Sequence, residues 1–182
     1  DTEDTLGDTK RILKHMKPYL EIADMAVVNL ESQLAESEPS TKAKKSVVFY
    51  SPPEAVAALQ WAGIDYVTLG NNHSYDYLDE GLISTLDILK QQALPFSGAG
   101  MTEQQALAPY NYSQNNSNYA MLGYVGWKGS KKPYQAATPE QGGAAYGSME
   151  NIVNAVKQAK HNSSFPVVQY HGSLEYGNEP SG

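Results

Sequence analysis

The amino-acid sequence predicts an α/β (α+β) domain in which short strands alternate with helices of about a dozen residues. The first observation behind this class is periodicity, because brief apolar runs alternate with segments whose apolar residues recur at helical spacing. The second is the length of 182 residues, which favours one domain with a core of its own. We therefore expect a single domain over residues 1–182, built on a sheet that crossover helices cover.

The first third of the chain carries the signals of two helices. One should follow Gly7, where apolar residues return at helical spacing, and it should end or kink at Pro18. The other covers residues 51–63, with Ser51 as its N-cap, prolines in its first turn and Gly63 just beyond its end. Both helices would cover a face of the predicted sheet.

Short apolar runs predict the strands of that sheet. Most of them contain β-branched or aromatic residues and are bounded by turn-forming residues. The segment 101–147 contains one such run within sequence that otherwise predicts loops, because Gly, Asn, Tyr and Pro are frequent in it. The runs cover residues 25–31, 47–50, 64–70, 94–100, 119–126 and 165–172.

The segment 79–92 has the pattern of an amphipathic helix. Leu82, Leu86 and Leu89 recur at i, i+4 and i+7, which is the stripe of a helix lying on a sheet. The opposite face should meet water through Asp79, Asp87 and Lys90. A last helix is predicted over residues 148–161.

The composition excludes several classes of function. Thirteen Lys and Arg against twenty Asp and Glu give a net charge of −7, which argues against a nucleic-acid partner because phosphate binding needs a basic face. The chain has no cysteine, so disulfides, zinc–thiolate sites and thiol nucleophiles are excluded. No apolar stretch of the sequence approaches the roughly 20 residues that a membrane-spanning helix needs.

Three of the predicted strands end in polar clusters. These clusters read NLE at residues 29–31, GNNH at residues 70–73 and HGSLEY at residues 171–176. In open α/β sheets, ligand sites form outside the carboxyl ends of the strands. The three clusters could therefore converge on one site.

The GNNH cluster offers two groups with useful chemistry. Asn72 has a neutral carbonyl oxygen that can bind a divalent cation, and His73 has an imidazole that can bind a metal or transfer a proton near neutral pH. A simple turn explains the same residues, because asparagine is common in turns. Both interpretations stay open for this cluster alone.

The other two clusters add one carboxylate and one further histidine. Asn29 and Glu31 point to the same side of a strand because they are two residues apart, and they could bind a cation or orient a water molecule. His171 directly follows a buried strand, where a metal ligand is plausible. Each cluster can also be read as an ordinary polar strand end with a hydrogen-bonded histidine.

Taken in order, the clusters resemble the bacterial capsule-synthesis protein family (CapA/PgsA), which is associated with poly-γ-glutamate. The resemblance covers about residues 10–180. It is most specific from GNNH to the GAG at residues 98–100. The segments that carry it read ADMAVVNLE, SPPEAVAAL, GNNHSYDY, EGLISTLDIL, GAG and HGSLEY.

That family is similar to the calcineurin-like metallophosphoesterases, so the resemblance implies a β-sandwich flanked by helices and a divalent metal of the Mn, Zn or Fe type. It implies that Asn72 and His171 are metal ligands and that His73 is the acid that protonates a leaving oxygen. Glu31 stands where the phosphoesterases have a bridging aspartate, so it is the third expected ligand. The residues expected to bind substrate are Asn29, Asn71, Glu175 and Tyr176.

The sequence also departs from the phosphoesterase pattern. It has no counterpart of the first Asp-x-His motif or of the terminal Gly-His-x-His motif. We therefore expect the domain to lack its first strand motif and its C-terminal part, and these residues alone should not bind the metal fully.

Two functions are predicted from the resemblance. The first is capsule biosynthesis or export by a metal-dependent hydrolase or transferase that acts on a phosphoester or a γ-glutamyl bond. The alternative is a non-catalytic, polymer-binding subunit of a membrane-associated capsule synthase complex. A small-molecule-binding module without metal is a third reading, because similarity of fold does not settle chemistry.

The expected partners are poly-γ-glutamate or another acidic polymer and the other capsule synthase subunits. The net charge of −7 opposes direct binding of an acidic polymer, although a cation bridging the carboxylates would remove that objection. The expected location is the extracellular face of the bacterial membrane, with an anchoring segment that this sequence does not contain.

Overall fold

The computed structural model describes residues 9–129 and 132–172, which form a mixed α/β domain. Residues 9–13 are helical, and five further helices follow within the described ranges. These are α1 (Lys17–Leu20), α2 (Glu54–Trp61), α3 (Leu78–Gln91), α4 (Glu103–Ala106) and α5 (Met149–His161). The strands are β1 (Val27–Asn29), β2 (Gln33–Leu34), β3 (Tyr50–Ser51), β4 (Tyr66–Thr68), β5 (Phe96–Ser97), β6 (Ala99–Gly100), β7 (Tyr110–Gln114), β8 (Ser117–Val125), β9 (Gly143–Ala144) and β10 (Phe165–His171).

Two three-stranded sheets form the centre of the domain. The first has the order β1-β4-β5 and is parallel throughout. The second has the order β10-β8-β7, in which β10 is parallel and β7 antiparallel to β8. The short strands form two further pairs, β2 with β3 and β6 with β9. The predicted α/β class is therefore confirmed.

The two sheets approach each other closely where three glycines meet. A Cβ atom added to Gly123 would overlap the Oγ1 atom of Thr68, and one added to Gly70 would overlap the backbone nitrogen of Tyr124. Gly98 has a φ of +94°, a backbone conformation that side chains disfavour, and its added Cβ would lie 2.5 Å from the nitrogen of Gly70. Only glycine fits at these three positions without a shift of the neighbouring atoms.

Helices cover the outer faces of both sheets. The larger core cluster joins Val67 and Leu69 from the β4 segment with Val56 of α2 and with the leucines of α3. A smaller cluster joins Leu122 and Tyr124 of β8 with α4 and α5. The buried α3 residues include Leu82, Leu86 and Leu89, and the exposed ones include Asp79, Asp87 and Lys90. The predicted faces of this helix are therefore confirmed.

Two of the predicted helix boundaries are wrong. The helix at residues 9–13 is interrupted by a turn at 14–16, and Pro18 lies in the first turn of α1, where its missing N–H is tolerated. Ser51 does not cap α2, because Pro53 is the N-cap residue and the Ser51 hydroxyl instead contacts the Ser32 hydroxyl at 2.8 Å. The predicted strand at 47–50 is also displaced, since only Tyr50–Ser51 pairs.

The segment predicted to consist mainly of loops also contains a β-hairpin. Strands β7 and β8 are joined by Asn115 and Asn116, which have φ values of 51° and 62°. A two-residue turn with positive φ at both positions matches the right-handed twist of the strands it connects, and asparagine adopts this conformation readily. Among the described residues, no helix is long and apolar enough to cross a membrane.

The buried face of α3 gives a stability test. Leu86 is 6% exposed, so the Leu86→Ala variant should lose about 2–5 kcal/mol of unfolding free energy in denaturant melts. Ile83 lies on the same helix but is 46% exposed, so Ile83→Ala should stay within about 0.5 kcal/mol of wild type. Equal losses in the two variants would contradict the assignment of faces.

Candidate functional site

The candidate site lies where three strands from the two sheets end. Asn29 is the last residue of β1, His171 is the last residue of β10, and Asn71 and Asn72 follow β4. β1 and β4 are parallel neighbours, so their carboxyl ends lie at the same edge. The glycine contacts hold β8 against the first sheet, and β10 is the parallel neighbour of β8, so the end of β10 reaches this edge through His171.

His171 contacts residues from both other clusters. Its Nε2 atom lies 2.9 Å from Asn72 Oδ1, and its Nδ1 atom lies 3.1 Å from both Asn29 Nδ2 and Glu31 Oε1. If Nδ1 carries the proton and donates it to Glu31, the Nε2 lone pair and the Asn72 oxygen face each other as two ligands of one cation do. If Nε2 carries the proton, the ring donates to Asn72 and accepts from Asn29.

Asn71 links the chain after β1 to the turn after β4. Its amide nitrogen donates to Asn29 Oδ1 and to the carbonyl of Leu30, both at 2.9 Å. Its oxygen accepts from the backbone N–H of His73 at 2.9 Å and from the Ser74 hydroxyl at 3.2 Å. The side chain is fully buried and positions its neighbours, and the substrate-binding role expected for Asn71 stays a prediction.

His73 is buried and its ring is held by a carboxylate. Its Nδ1 atom lies 2.8 Å from Asp76 Oδ2, and its ring lies against that of Phe49 with 4.5 Å between the centroids. Asp76 is fully buried and also accepts from Lys45 Nζ at 2.7 Å and from the N–H of Phe49 at 2.7 Å. Lys45 also donates to the carbonyl of Asn72 at 2.8 Å.

Lys45 and Asp76 are functional candidates that sequence reasoning missed. Asp76 stands three residues after His73 within the GNNHSYDY segment, and that spacing could have indicated a contact across the turn. Lys45 stands in a polar loop with no periodicity, and it is 31 residues away from Asp76 in the sequence. No local signal pointed to the pairing of Lys45 with Asp76.

Glu80, near the start of α3, anchors the loop that carries Lys45. Its carboxylate accepts hydrogen bonds from the backbone N–H and the hydroxyl of Ser40, at 3.1 and 2.7 Å, and from the N–H of Thr41 at 3.0 Å. These donors, with the Ser40 hydroxyl contributing most, hold the pKa of Glu80 below its ordinary value. The loop is therefore fixed at one end by Glu80 and at the other by Asp76.

The expected metal ligands supply an incomplete set of donors. The Asn72 oxygen and the Nε2 atom of His171 are close enough to share one ion, whereas Glu31 lies at the Nδ1 atom on the other side of the ring. Among the described residues, no group of three His, Asp or Glu side chains could hold a metal ion. Even an open catalytic site has about three protein ligands, so these residues do not complete a metal site.

Five of the expected site residues lie in one hydrogen-bonded network, and two lie outside the part of the chain that the structure describes. Asn29, Glu31, Asn72, His73 and His171 belong to one connected network, although their catalytic and ligand roles stay predictions. Two other expected substrate-binding residues, Glu175 and Tyr176, lie outside the described residues.

Comparisons with known proteins point to one bacterial family. The family described as "Bacterial capsule synthesis protein PGA_cap" matches residues 2–182. The "Capsule biosynthesis protein CapA" of Bacillus anthracis is 28% identical over 179 residues, covering 95% of this chain and 43% of that protein. The "PGA biosynthesis protein CapA" of Bacillus subtilis (strain 168) is 26% identical over 171 residues, covering 93% and 44%. The chain spans less than half the length of these relatives.

One solved structure shows a weak likeness to this chain. It is the crystal structure of a 5'-nucleotidase from Staphylococcus aureus in complex with alpha-ketoglutarate. The TM-score is 0.44 at 13% sequence identity, with coverage of 83% of this chain and 37% of that one. A likeness at this level carries no argument about chemistry.

Asn71 offers a nearly isosteric test of the network. Asn71→Asp replaces the donating amide by an oxygen that faces the oxygens of Asn29 and Leu30, so the variant should lose about 3–5 kcal/mol at neutral pH. The loss should shrink as the pH falls, because a protonated carboxyl group can donate again. Denaturant melts at two pH values measure both effects.

The matched control for this variant is Asn111→Asp, because Asn111 lies exposed on β7. It should change the unfolding free energy by no more than about 0.5 kcal/mol. A similar loss in both variants would show that the added charge, and not the lost donor, is responsible.

Glu80 gives a pH prediction for the loop. Because its folded pKa is lowered, the hydrogen bonds to Ser40 and Thr41 should persist above the ordinary Glu pKa of about 4.3 and be lost only as the pH falls through the lower folded value. The backbone amide NMR shifts of Ser40 and Thr41 should report this titration. In Glu80→Gln the same shifts should not titrate in that range, and an unchanged titration would contradict the anchor.

Proposed function

The chain belongs to the family of bacterial capsule synthesis proteins, and we propose that it acts in capsule biosynthesis on poly-γ-glutamate or another acidic polymer. The chemistry proposed is hydrolysis or transfer at a γ-glutamyl or phosphoester bond. Since the chain spans less than half of its curated relatives, the activity is a proposal for the intact protein.

One observation carries the proposal of chemistry: the imidazole of His73 is buried and oriented by a buried carboxylate. With the Nδ1 proton donated to Asp76, the Nε2 atom of His73 is left to exchange protons. A ring held in this way suits general acid catalysis better than the binding of a structural partner.

The reaction proposed for His73 is proton delivery to a leaving group. Water or another acceptor attacks the carbonyl carbon or the phosphorus, the bond to the leaving nitrogen or oxygen breaks, and His73 supplies the proton that this atom needs. Asn71 fixes the backbone N–H of His73 and so positions the ring. Asp76 and Lys45 are positioning residues in this scheme, because they act through His73.

The divalent metal belongs to the proposal for the intact protein only. Asn72 and His171 would be two of its ligands, and at least one further ligand would have to come from outside the described residues. Such a metal supplies charge stabilisation and lowers the pKa of a bound water. In this arrangement Glu31 orients His171 through Nδ1 and does not bind the metal.

The incomplete donor set favours a second candidate function. A non-catalytic subunit of a capsule synthase complex would keep the fold and use the same cleft to hold the polymer. Such a subunit needs no complete metal site, which agrees with the two donors found side by side. Turnover separates the two functions, because only the enzyme cleaves a substrate.

The proposed location is the extracellular face of the bacterial membrane, with other capsule synthase subunits as partners. The family membership supports the part of this proposal that concerns other capsule components. Nucleic acid is not a proposed partner, because the net charge of the chain is −7.

Substitution of the two site histidines tests the enzyme proposal. His73→Ala in the intact protein should lower the turnover of poly-γ-glutamate or of a chromogenic phosphodiester by about 10²–10⁴-fold and leave the bound metal unchanged. His171→Ala should lower the bound metal, because a proposed ligand is removed. Metal content by elemental analysis and steady-state rates measure both.

The control is His161→Ala, since His161 is exposed at the end of α5 and precedes β10, whereas His171 is the last residue of that strand. It should change neither metal content nor rate. Equal loss of metal in His73→Ala and His171→Ala would contradict the assigned roles. The absence of turnover in wild type with Mn, Zn or Fe would leave the polymer-binding subunit as the function.

A further inference from the structure

A narrow groove lies beside the His73 network, between the loop before β3 and the loop after β8. Its walls include Lys44 and Lys45 on one side and Trp127, Pro133 and Gln135 on the other. Its volume of about 40 Å³ is too small for a drug-sized molecule, which needs roughly 300 Å³ or more, but it has room for a group of carboxylate size.

The two loops are basic in a chain that is acidic overall. Neither the segment 39–53 nor the segment 104–139 contains any Asp or Glu, although the chain has a net charge of −7. Lysines 44, 45, 128 and 132 all lie in these two segments. The residues that line the groove include two lysines and no carboxylate, so the lining itself favours an anion, and acidic groups farther than about 10 Å away are screened.

Lys44 is the lysine of the groove that is available to a ligand. Lys45 is already paired with Asp76 at 2.7 Å, and the nearby Lys42 is paired with Glu38 at 2.8 Å. Lys44 is exposed and forms no ion pair with any residue in the described ranges. Lys44 is therefore the lysine that a carboxylate entering the groove would bind.

Gln135 supplies a second, independent sign of a ligand. This side chain is 5% exposed, and its Oε1 atom accepts no hydrogen bond from the residues that the structure describes. A buried acceptor without a donor is unfavourable by about 1–3 kcal/mol, so an N–H group that reached this atom would remove that penalty. Because the atom itself is closed to solvent, the side chain has to turn toward the groove for this contact to form. The backbone N–H of Gln135 is bonded to the Lys128 carbonyl at 2.9 Å, which fixes the residue in place.

The exposed Trp127 adds an apolar surface to the groove. Its side chain is 51% exposed, so its ring can pack against the methylene groups of a flexible chain. Carboxylates, amide N–H groups and methylenes occur together in a polyamide of glutamate. A polymer with carboxylates but no amide would leave Gln135 without its donor.

We propose that this groove is the subsite that binds an acidic polyamide chain and leads it to His73. Lys44 binds a side-chain carboxylate, Gln135 accepts an amide N–H, and Trp127 packs on the methylenes. The proposal deepens the proposed function and rests on it, because it names how the same site binds its polymer. Lys45 joins the two regions, since its Nζ atom lies 2.8 Å from the Asn72 carbonyl and 3.4 Å from His73 Nδ1.

The test is a binding titration that needs no turnover. In the intact protein with Trp61→Phe, Trp127 is the remaining tryptophan of these 182 residues, and oligo-γ-glutamate should change its fluorescence saturably. Where the intact protein has other tryptophans, calorimetry replaces fluorescence. Lys44→Gln should raise the Kd about two- to five-fold, and Lys44→Glu should raise it about tenfold. The control Lys90→Glu makes the same charge change on the exposed face of α3 and should leave the Kd unchanged.

A second pair of measurements tests the amide contact. Gln135→Leu should raise the Kd for oligo-γ-glutamate about tenfold and leave the Kd for polyacrylate, which has carboxylates but no amide, unchanged. Equal weakening by Lys44→Glu and Lys90→Glu, or equal binding of both polymers by wild type with no effect of Gln135→Leu, would overturn the subsite. If oligo-γ-glutamate binds as predicted but is not cleaved, the subsite is supported and only the hydrolase activity is rejected. The two proposals can therefore fail independently.

Discussion

The structure depends on the close contact of two sheets at Gly70, Gly98 and Gly123. A side chain at any of these positions would need space that atoms of the facing segment already occupy. The contact matters for function because His171 comes from one sheet and Asn72 from the other. Their hydrogen-bond distance of 2.9 Å would not survive a separation of the sheets by even one ångström.

Polar contacts, more than apolar packing, determine the geometry at this edge. Asn71 and Asp76 are both fully buried, and each satisfies backbone groups of neighbouring segments. A buried carboxylate is unfavourable unless it is paired and hydrogen-bonded, and Asp76 is both, through Lys45 and the N–H of Phe49. The loop between β2 and β3 has little regular structure of its own, so the order that places Lys45 comes from these contacts and from Glu80.

The sequence predicts what depends on local pattern and misses what depends on distant contacts. The leucine stripe of α3 was predicted because its apolar residues recur at helical spacing within one short segment. The polar ends of β1, β4 and β10 were predicted because polar residues directly follow an apolar run in each case. The β7–β8 hairpin was missed because its Asn-Asn turn lies in sequence that is uniformly rich in turn-forming residues. The complete burial of Asn71 could not be predicted either, because its amide bonds to Asn29 and Leu30, about forty residues earlier, and no local spacing reveals these contacts.

The net charge of this chain predicts that an acidic polymer is repelled, whereas the charge near the groove predicts that it is attracted. The charge near the groove is the one that matters for binding. An acidic polymer is repelled by a total of −7, but at physiological salt a charge is felt only within about 8–10 Å. Within that range the groove presents lysines, since its two segments contain no acidic residue. Asp76 and Lys45 offset each other's charge, so Lys44 supplies the net positive charge of the groove lining, which contains no carboxylate. Lys44 can therefore attract a polymer carboxylate without a bridging cation. A metal bound at Asn72 and His171 would then not be needed to hold the polymer and could take part in the reaction.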